Sequence, residues 1–229
     1  MQDASSTTKR SSRCDGQASR ERLLAEALRL FAENGSAQTS TRAIAQAAGV
    51  IISAISYYFG DKEGLHRAAF YEPFAEYSDV QAELAAVLAP ELSLQQALHL
   101  FFSRTPFAQG AHMQQCLRLH LREMVEHTTL WQDELQQRLL PKYSAMRELL
   151  TRHLGLQQSD AEIDRLVCAI MAMSIDWVLS QEIIQHFQPA LLQKTDAIAA
   201  EVNALVRYAT ALIDSEARAR GLPCPSDKA

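Results

Sequence analysis

Apolar residues recur along most of this chain at intervals of three and four, the spacing that places them on one face of an α-helix. Leu23, Leu24, Ala27, Leu30 and Phe31 follow it first and predict a helix over 17–34, closed by Gly35. Two short segments come next. Ile44, Ala45 and Ala48 line one face of a helix at 41–48, capped by the hydroxyl of Thr39 or Ser40 and ended by Gly49. Ile55 and Phe59 line a second at 52–59, which leaves Ser53, Ser56 and Tyr57 pointing outward. Gly60 and Asp61 break the chain before a helix that starts at Lys62 and runs toward Leu88, kinked or divided at Pro73. Beyond Pro90 the pattern predicts helices at 93–104, 111–127, 130–154, 160–186 and 189–219, with Pro141 kinking the third of these rather than ending it. Strand alternation and internal repeats are absent. The predicted fold is all-α: an N-terminal three-helix bundle at 17–67, a larger helical domain at 68–221 and a tail at 222–229.

The short pair carries the chemistry. A glycine turn at Gly49 reverses the chain sharply, Val50 tucks beneath it, and the small alanines allow the second helix to cross the first closely. A helix held this way, with polar and aromatic side chains free on its outer face, is built to enter the major groove of DNA. The segments RERLLAEALRLFAENG, TRAIAQAAGV, YYFGD and KEGL occur in an order and spacing that resembles the DNA-binding domain of the TetR family of bacterial regulators, over about residues 17 to 67. In the remainder, LHLREMVEHT and the late helical pair look somewhat like the CerR-type branch of that family.

The resemblance implies that Ser40, Thr41 and Arg42 begin the first helix of the motif, where they touch phosphate and a base edge. It places Ile52, Ser53, Ser56 and Tyr57 on the recognition helix, with Tyr58 and Lys62 holding the backbone. Arg42 is the candidate base reader, because a guanidinium fork matches guanine bidentately. Lys62, at a helix start whose dipole already favours phosphate, is a positioning contact. Two positions depart from the family pattern. Ile51 stands where a capping residue is usual, and Ser56 stands where a tyrosine is usual. Simpler readings are a solvated Arg42, a packing role for Tyr58, and an Ile52 that either meets a thymine methyl or finishes the small core.

Composition agrees with a packed helical protein: 48% of residues are apolar, with only 8 glycines and 7 prolines. No run approaches the roughly 20 apolar residues of a membrane span. The start, MQDASSTTKRSSRCDGQ, lacks the apolar stretch of a signal peptide, so a cytoplasmic, nucleoid-associated location in a bacterium is expected. The net charge of −5 divides unevenly: residues 1–67 carry nine Lys or Arg against seven Asp or Glu, and the rest carry 13 against 20. A mildly basic head on an acidic body suits a dimer that engages one duplex with two heads. Residues 1–16, with Lys9, Arg10 and Arg13, read as a disordered basic arm. Cys14, Cys116, Cys168 and Cys224 lack a CxxC spacing and read as free thiols.

Leu166, Ile170, Met173, Trp177 and Ile184, then Leu191, Ile198, Val202, Leu205 and Leu212, form two apolar stripes near the chain end. Paired with the same two from a second subunit they make a four-helix bundle, so a homodimer through the last two long helices is expected. Cys116, His120, Glu123 and His127 lie in a row on one helix, which cannot arrange four ligands tetrahedrally, so no metal site or cofactor is expected. The better reading of this region is an effector pocket lined by Phe102, Phe107, His120 and Trp177, with Arg118 or Arg122 anchoring an anionic group. The expected function is a repressor on a palindromic operator in double-stranded DNA, released by a small molecule. The alternative is an all-helical binding module or enzyme. Neither GxSxG, HExxH nor a Gly-rich phosphate loop is present, and no catalytic residue is assigned.

Overall fold

The computed structural model describes residues 5–77, 79–104, 111–193 and 196–228. Helices and turns account for them, without a strand among the described residues. The chain forms two compact units, one of residues 1–76 and 109–132, the other of 77–108 and 133–229. The first unit thus runs past the expected boundary at 67 and takes in a helix from later in the chain.

That unit begins with α1, Ser5–Asn34. Residues 5–16, expected as an arm outside the fold, are the first part of this helix. The side chains of Lys9, Arg10, Arg13 and Cys14 lie outside the described ones. Next come α2 (Thr41–Ala47), α3 (Ser53–Phe59) and α4 (Lys62–Tyr71). Pro73 ends the helical run there: a 3₁₀ turn at Glu72–Tyr77, with Phe74 at φ −111°, stands in place of a continuous helix. The recruited helix is α7, Ala111–Glu126, which packs on α1 and α4. Leu23, Leu28, Phe31, Ile44, Leu65, Phe70 and Leu119 are fully buried here, each worth about 1.5–3 kcal/mol relative to exposure.

The second unit holds α5 (Val80–Val87), α6 (Leu94–Ser103), the end of α8 (Thr129–Glu134), α9 (Leu140–His153), α10 (Ala161–Leu179), α11 (Gln181–Phe187), α12 (Ala190–Gln193) and α13 (Ala197–Ala219). Ser93 opens α6 with a capping box closed by Gln96. Leu98, Phe102, Met146, Leu149, Leu150, Ile163, Ile170, Ala209 and Ile213 form the core where α6, α9, α10 and α13 meet.

Three predicted long helices are subdivided. Pro141 has no N–H to donate, and the ladder ahead of it widens into a π turn, Leu135–Leu139, closed by the amide of Leu140 on the carbonyl of Leu135. The 160–186 helix is two, bent by 71° at Ser180. There the hydroxyl of Ser180 donates to Asp176 Oδ1 and its amide to the Asp176 carbonyl, both at 2.7 Å. The 189–219 helix is α12 followed by α13. Part of each apolar stripe is absorbed by the unit's own core: Ile170, Trp177, Val202 and Leu205 are buried, whereas Leu191, Ile198 and Leu212 are exposed. Among the described residues no single helix is long and apolar enough to cross a membrane, though the bent pair of α10 and α11 passes by length and composition.

Candidate nucleic-acid interface

The turn between α2 and α3 is built by its sequence. Ser40 caps α2, its Oγ accepting the Ala43 amide at 3.1 Å. Thr39 is instead buried, and its hydroxyl donates to the Gly35 carbonyl at 2.8 Å, tying α2 to the end of α1. At the other end Gly49, at φ 65°, takes the left-handed conformation, so that its amide reaches the Gln46 carbonyl at 3.2 Å and the Val50 amide reaches Ala45 at 3.0 Å. Arg22 on α1 adds a bond to the Ala48 carbonyl at 3.2 Å. With Ile44, Ala45 and Ala48 buried, α2 is clamped by its inner face and Arg42 is left exposed on its outer one.

The recognition helix α3 is anchored by Ile55 alone at full burial, while Phe59 is half-buried beneath the Arg20 guanidinium, 4.9 Å from its ring centre. Arg20 in turn holds both carboxylate oxygens of Glu72. Everything on the opposite side faces out: Ile51 (74% exposed), Ile52 (52%), Ser53, Ser56 and Tyr57 (81%). Tyr58 is half-buried, its ring edge-on to Tyr57 at 4.8 Å and its hydroxyl close to Gly16 of α1. The absence of a capping residue at Ile51 has a visible consequence. Ile52 occupies the N-cap position without a side-chain bond, and the amides of Ala54 and Ile55 close on the carbonyls three residues back, those of Ile51 and Ile52.

Asp61 caps α4, accepting the Gly64 amide at 2.7 Å, and Lys62 stands half-buried at its first position. The glycine of KEGL has a steric reason: a Cβ there would lie 2.0 Å from the Phe59 carbonyl oxygen.

Periodicity could not reveal what lies behind α4. His66, buried on α4, holds Glu123 of α7 through Nε2 and Oε1 at 3.0 Å, and Thr128 donates to the other carboxylate oxygen at 2.7 Å. Burial pushes the Glu123 carboxyl up, but the hydrogen bonds from His66 and Thr128 and the nearby His66 and His120 bring it below its ordinary value. One turn on, Phe70 stacks on His120 at 3.9 Å and 15°. The head is thus joined to α7 by a buried polar pair and a ring stack.

The residues read as a pocket fall in different places. Arg118, His120 and Arg122 belong to the first unit, Phe102 and Trp177 to the second, and Phe107 lies outside the described residues. Arg118 is exposed; Arg122 donates to the Glu33 carbonyl at 3.1 Å and pairs with Glu126. His120 bonds the Cys116 carbonyl through Nδ1 at 2.9 Å. Phe102 is fully buried, and Trp177 keeps a buried indole N–H without a hydrogen-bond partner. Burial pushes the Cys116 thiol up to about 11, and His127 is exposed with φ 52°. Among the described residues no three His, Cys, Asp or Glu side chains are placed to hold one metal ion.

Comparison with known proteins matches two segments of the chain. Residues 23–69 match the family model for bacterial regulatory proteins of the tetR family. Residues 90–219 match that for the C-terminal domain of the HTH-type transcriptional dual regulator CecR, so the body carries the name CecR in place of CerR. The probable HTH-type transcriptional regulator YttP of Bacillus subtilis (strain 168) is 32% identical over 111 residues, 48% of this chain; the match spans about half, 53%, of that curated relative. Among solved structures, a TetR-like transcriptional regulator from Rhodococcus sp. RHA1 superposes with a TM-score of 0.55 at 18% identity, covering 84% of this chain and 96% of that one. The SmeT–triclosan complex gives 0.54 at 16%, covering 83% and 91%. At these identities the likeness is one of fold.

Proposed function

The chain belongs to the TetR family of bacterial transcription regulators and carries a CecR-type C-terminal domain, and we propose that it is a repressor released from a palindromic operator by a small molecule. The observation that carries the reading is the outer face of α3, where Ile51, Ile52, Ser53, Ser56 and Tyr57 are all exposed on a helix otherwise fixed by Ile55. A monomeric protein has little reason to expose two isoleucines and a tyrosine so close together, whereas a major groove offers thymine methyls and base edges to them. Arg42 reads a base; Ser40, Thr41, Tyr58 and Lys62 fix the register on phosphate. The location is the bacterial cytoplasm, on the nucleoid.

Two copies bind together. The exposed Ile175 and Leu179 of α10 and Ile198 and Leu212 of α13 supply an apolar face for a second subunit, which places two recognition helices on half-sites about 34 Å apart. The effector enters the helical body, where the unpartnered indole N–H of Trp177 and the buried Phe102 favour a partly apolar ligand. Any displacement of α7 is passed to α4 by the His66–Glu123 pair and the Phe70–His120 stack, changing the separation of the two α3 helices.

Selection of bound duplexes from a random pool, followed by anisotropy titration on the winning sequence, tests the reading. A palindromic consensus bound by the dimer is expected, with release by at least one compound in a ligand screen. Failure to enrich any sequence, or indifference of the selected duplex to Arg42→Ala, would overturn it.

A further inference from the structure

Resting on the effector-responsive reading, we propose that the turn joining α8 to α9 holds the polar anchor of the effector, and that this effector carries a carboxylate and a hydrogen-bond donor side by side, as an amino acid does. Glu134, the last residue of α8, is buried to 8% exposure. Its Oε1 faces Arg138 Nε at 3.3 Å, but its Oε2 is buried and has no hydrogen-bond partner. Native folds rarely leave a buried carboxylate oxygen in that condition, and where they do a ligand or a functional role is the usual reason. Lys142 comes two turns later, half-buried. Burial lowers its affinity for the proton, and so does Arg138, while Glu83 of α5 and Glu134 oppose both.

Between Glu134 and Lys142 runs the π turn Leu135–Leu139. Pro141 accounts for the widened backbone, but not for the charges placed on both sides of it. Turns of this kind recur at functional sites because the added residue re-aims its neighbours. The result is a buried acceptor at one end of the turn and a half-buried cation at the other.

The charge count selects the ligand class. Glu134 and Lys142 stand at the two ends of the turn, one of each sign, and Arg138 already faces Glu134 Oε1. A ligand of single charge would leave an uncompensated charge in a poorly solvated place, which is costly. A ligand of both signs keeps the balance: its donor completes Glu134 Oε2 and its carboxylate takes Lys142.

The test titrates the full-length chain with L-leucine, which carries both groups, and with isovalerate and isopentylamine, which carry one each. Calorimetry is expected to show L-leucine binding at least tenfold more tightly than either single-group probe. Glu134→Gln and Lys142→Met should each weaken L-leucine tenfold or more, with Lys142→Arg retaining most of the affinity. If Glu134→Gln does not fold, the two lysine variants decide. No binding of L-leucine, equal binding of the single-group probes, or unchanged affinity in the folded variants would overturn the site. The same preparation is tested on the selected duplex. Wild-type protein that binds DNA yet ignores L-leucine refutes this anchor and leaves the regulator reading standing. A loss of DNA recognition refutes that reading instead.

Discussion

Arg42 and Lys62 differ in what their neighbours allow them to do. Arg42 is exposed on a helix whose inner face is buried, so its fork is free to meet a base edge; Lys62 is half-buried at the start of α4. Arg42→Ala should therefore weaken the selected operator by about 1–3 kcal/mol and relax specificity at one base position, as read by anisotropy on the operator and its single-base variants. Lys62→Ala should weaken all duplexes alike and reduce the slope of log affinity against log salt by about 1. Gly64 poses a steric question instead. A methyl there would lie 2.0 Å from a backbone oxygen of α3, so Gly64→Ala should lower stability by about 1–3 kcal/mol in urea unfolding, with a fall in operator affinity as α3 is displaced. The KEGL glycine was visible in the sequence, but its reason was not, because the clash is with a carbonyl five residues earlier.

At the scale of elements, the joint between α4 and α7 responds to pH. The Glu123 carboxyl lies below its ordinary value in the folded protein, so the unfolded chain takes up its proton first as the pH falls. Its contribution to stability is complete above that ordinary value, near 4.5, and is lost as the pH falls through the lower folded value. Glu123→Gln should flatten this part of the stability profile between neutrality and acid, measured by chemical unfolding at a series of pH values. An unchanged profile would mean that the pair does not govern the joint. Elsewhere local chemistry reshaped predicted helices. Pro141 widened one turn, and the chain bends by 71° between α10 and α11, where Ile183 and Phe187 are left exposed beyond the break.

At the scale of the whole molecule, the proposed function calls for a second copy. Ile175, Leu179, Ile198 and Leu212 are each exposed by more than a third, an arrangement that suits a covering subunit better than water. The double substitution Leu179→Asp and Leu212→Asp should give monomers at micromolar concentration in sedimentation velocity, and lower operator affinity, since each head alone contacts one half-site. Retention of the dimer would move the interface elsewhere. The uneven charge between the head and the rest of the chain, legible from composition, also predicts binding that falls steeply with salt.

The helical class, the short helix pair with a hydroxyl cap at Thr39 or Ser40 and its Gly49 reversal, and the outward set on α3 were all legible in the order of residues, because each depends on neighbours a few positions away. So were the motifs that mark the family. Which buried polar groups meet became clear only once the helices were packed together. His66 and Glu123 are 57 positions apart, α7 joins the head from beyond the 3₁₀ turn, α5 and α6, and Glu134 is left with one oxygen unpaired. The periodicity of a helix records which face is buried but not what it is buried against, and pairings between distant helices are set by packing that no local pattern encodes.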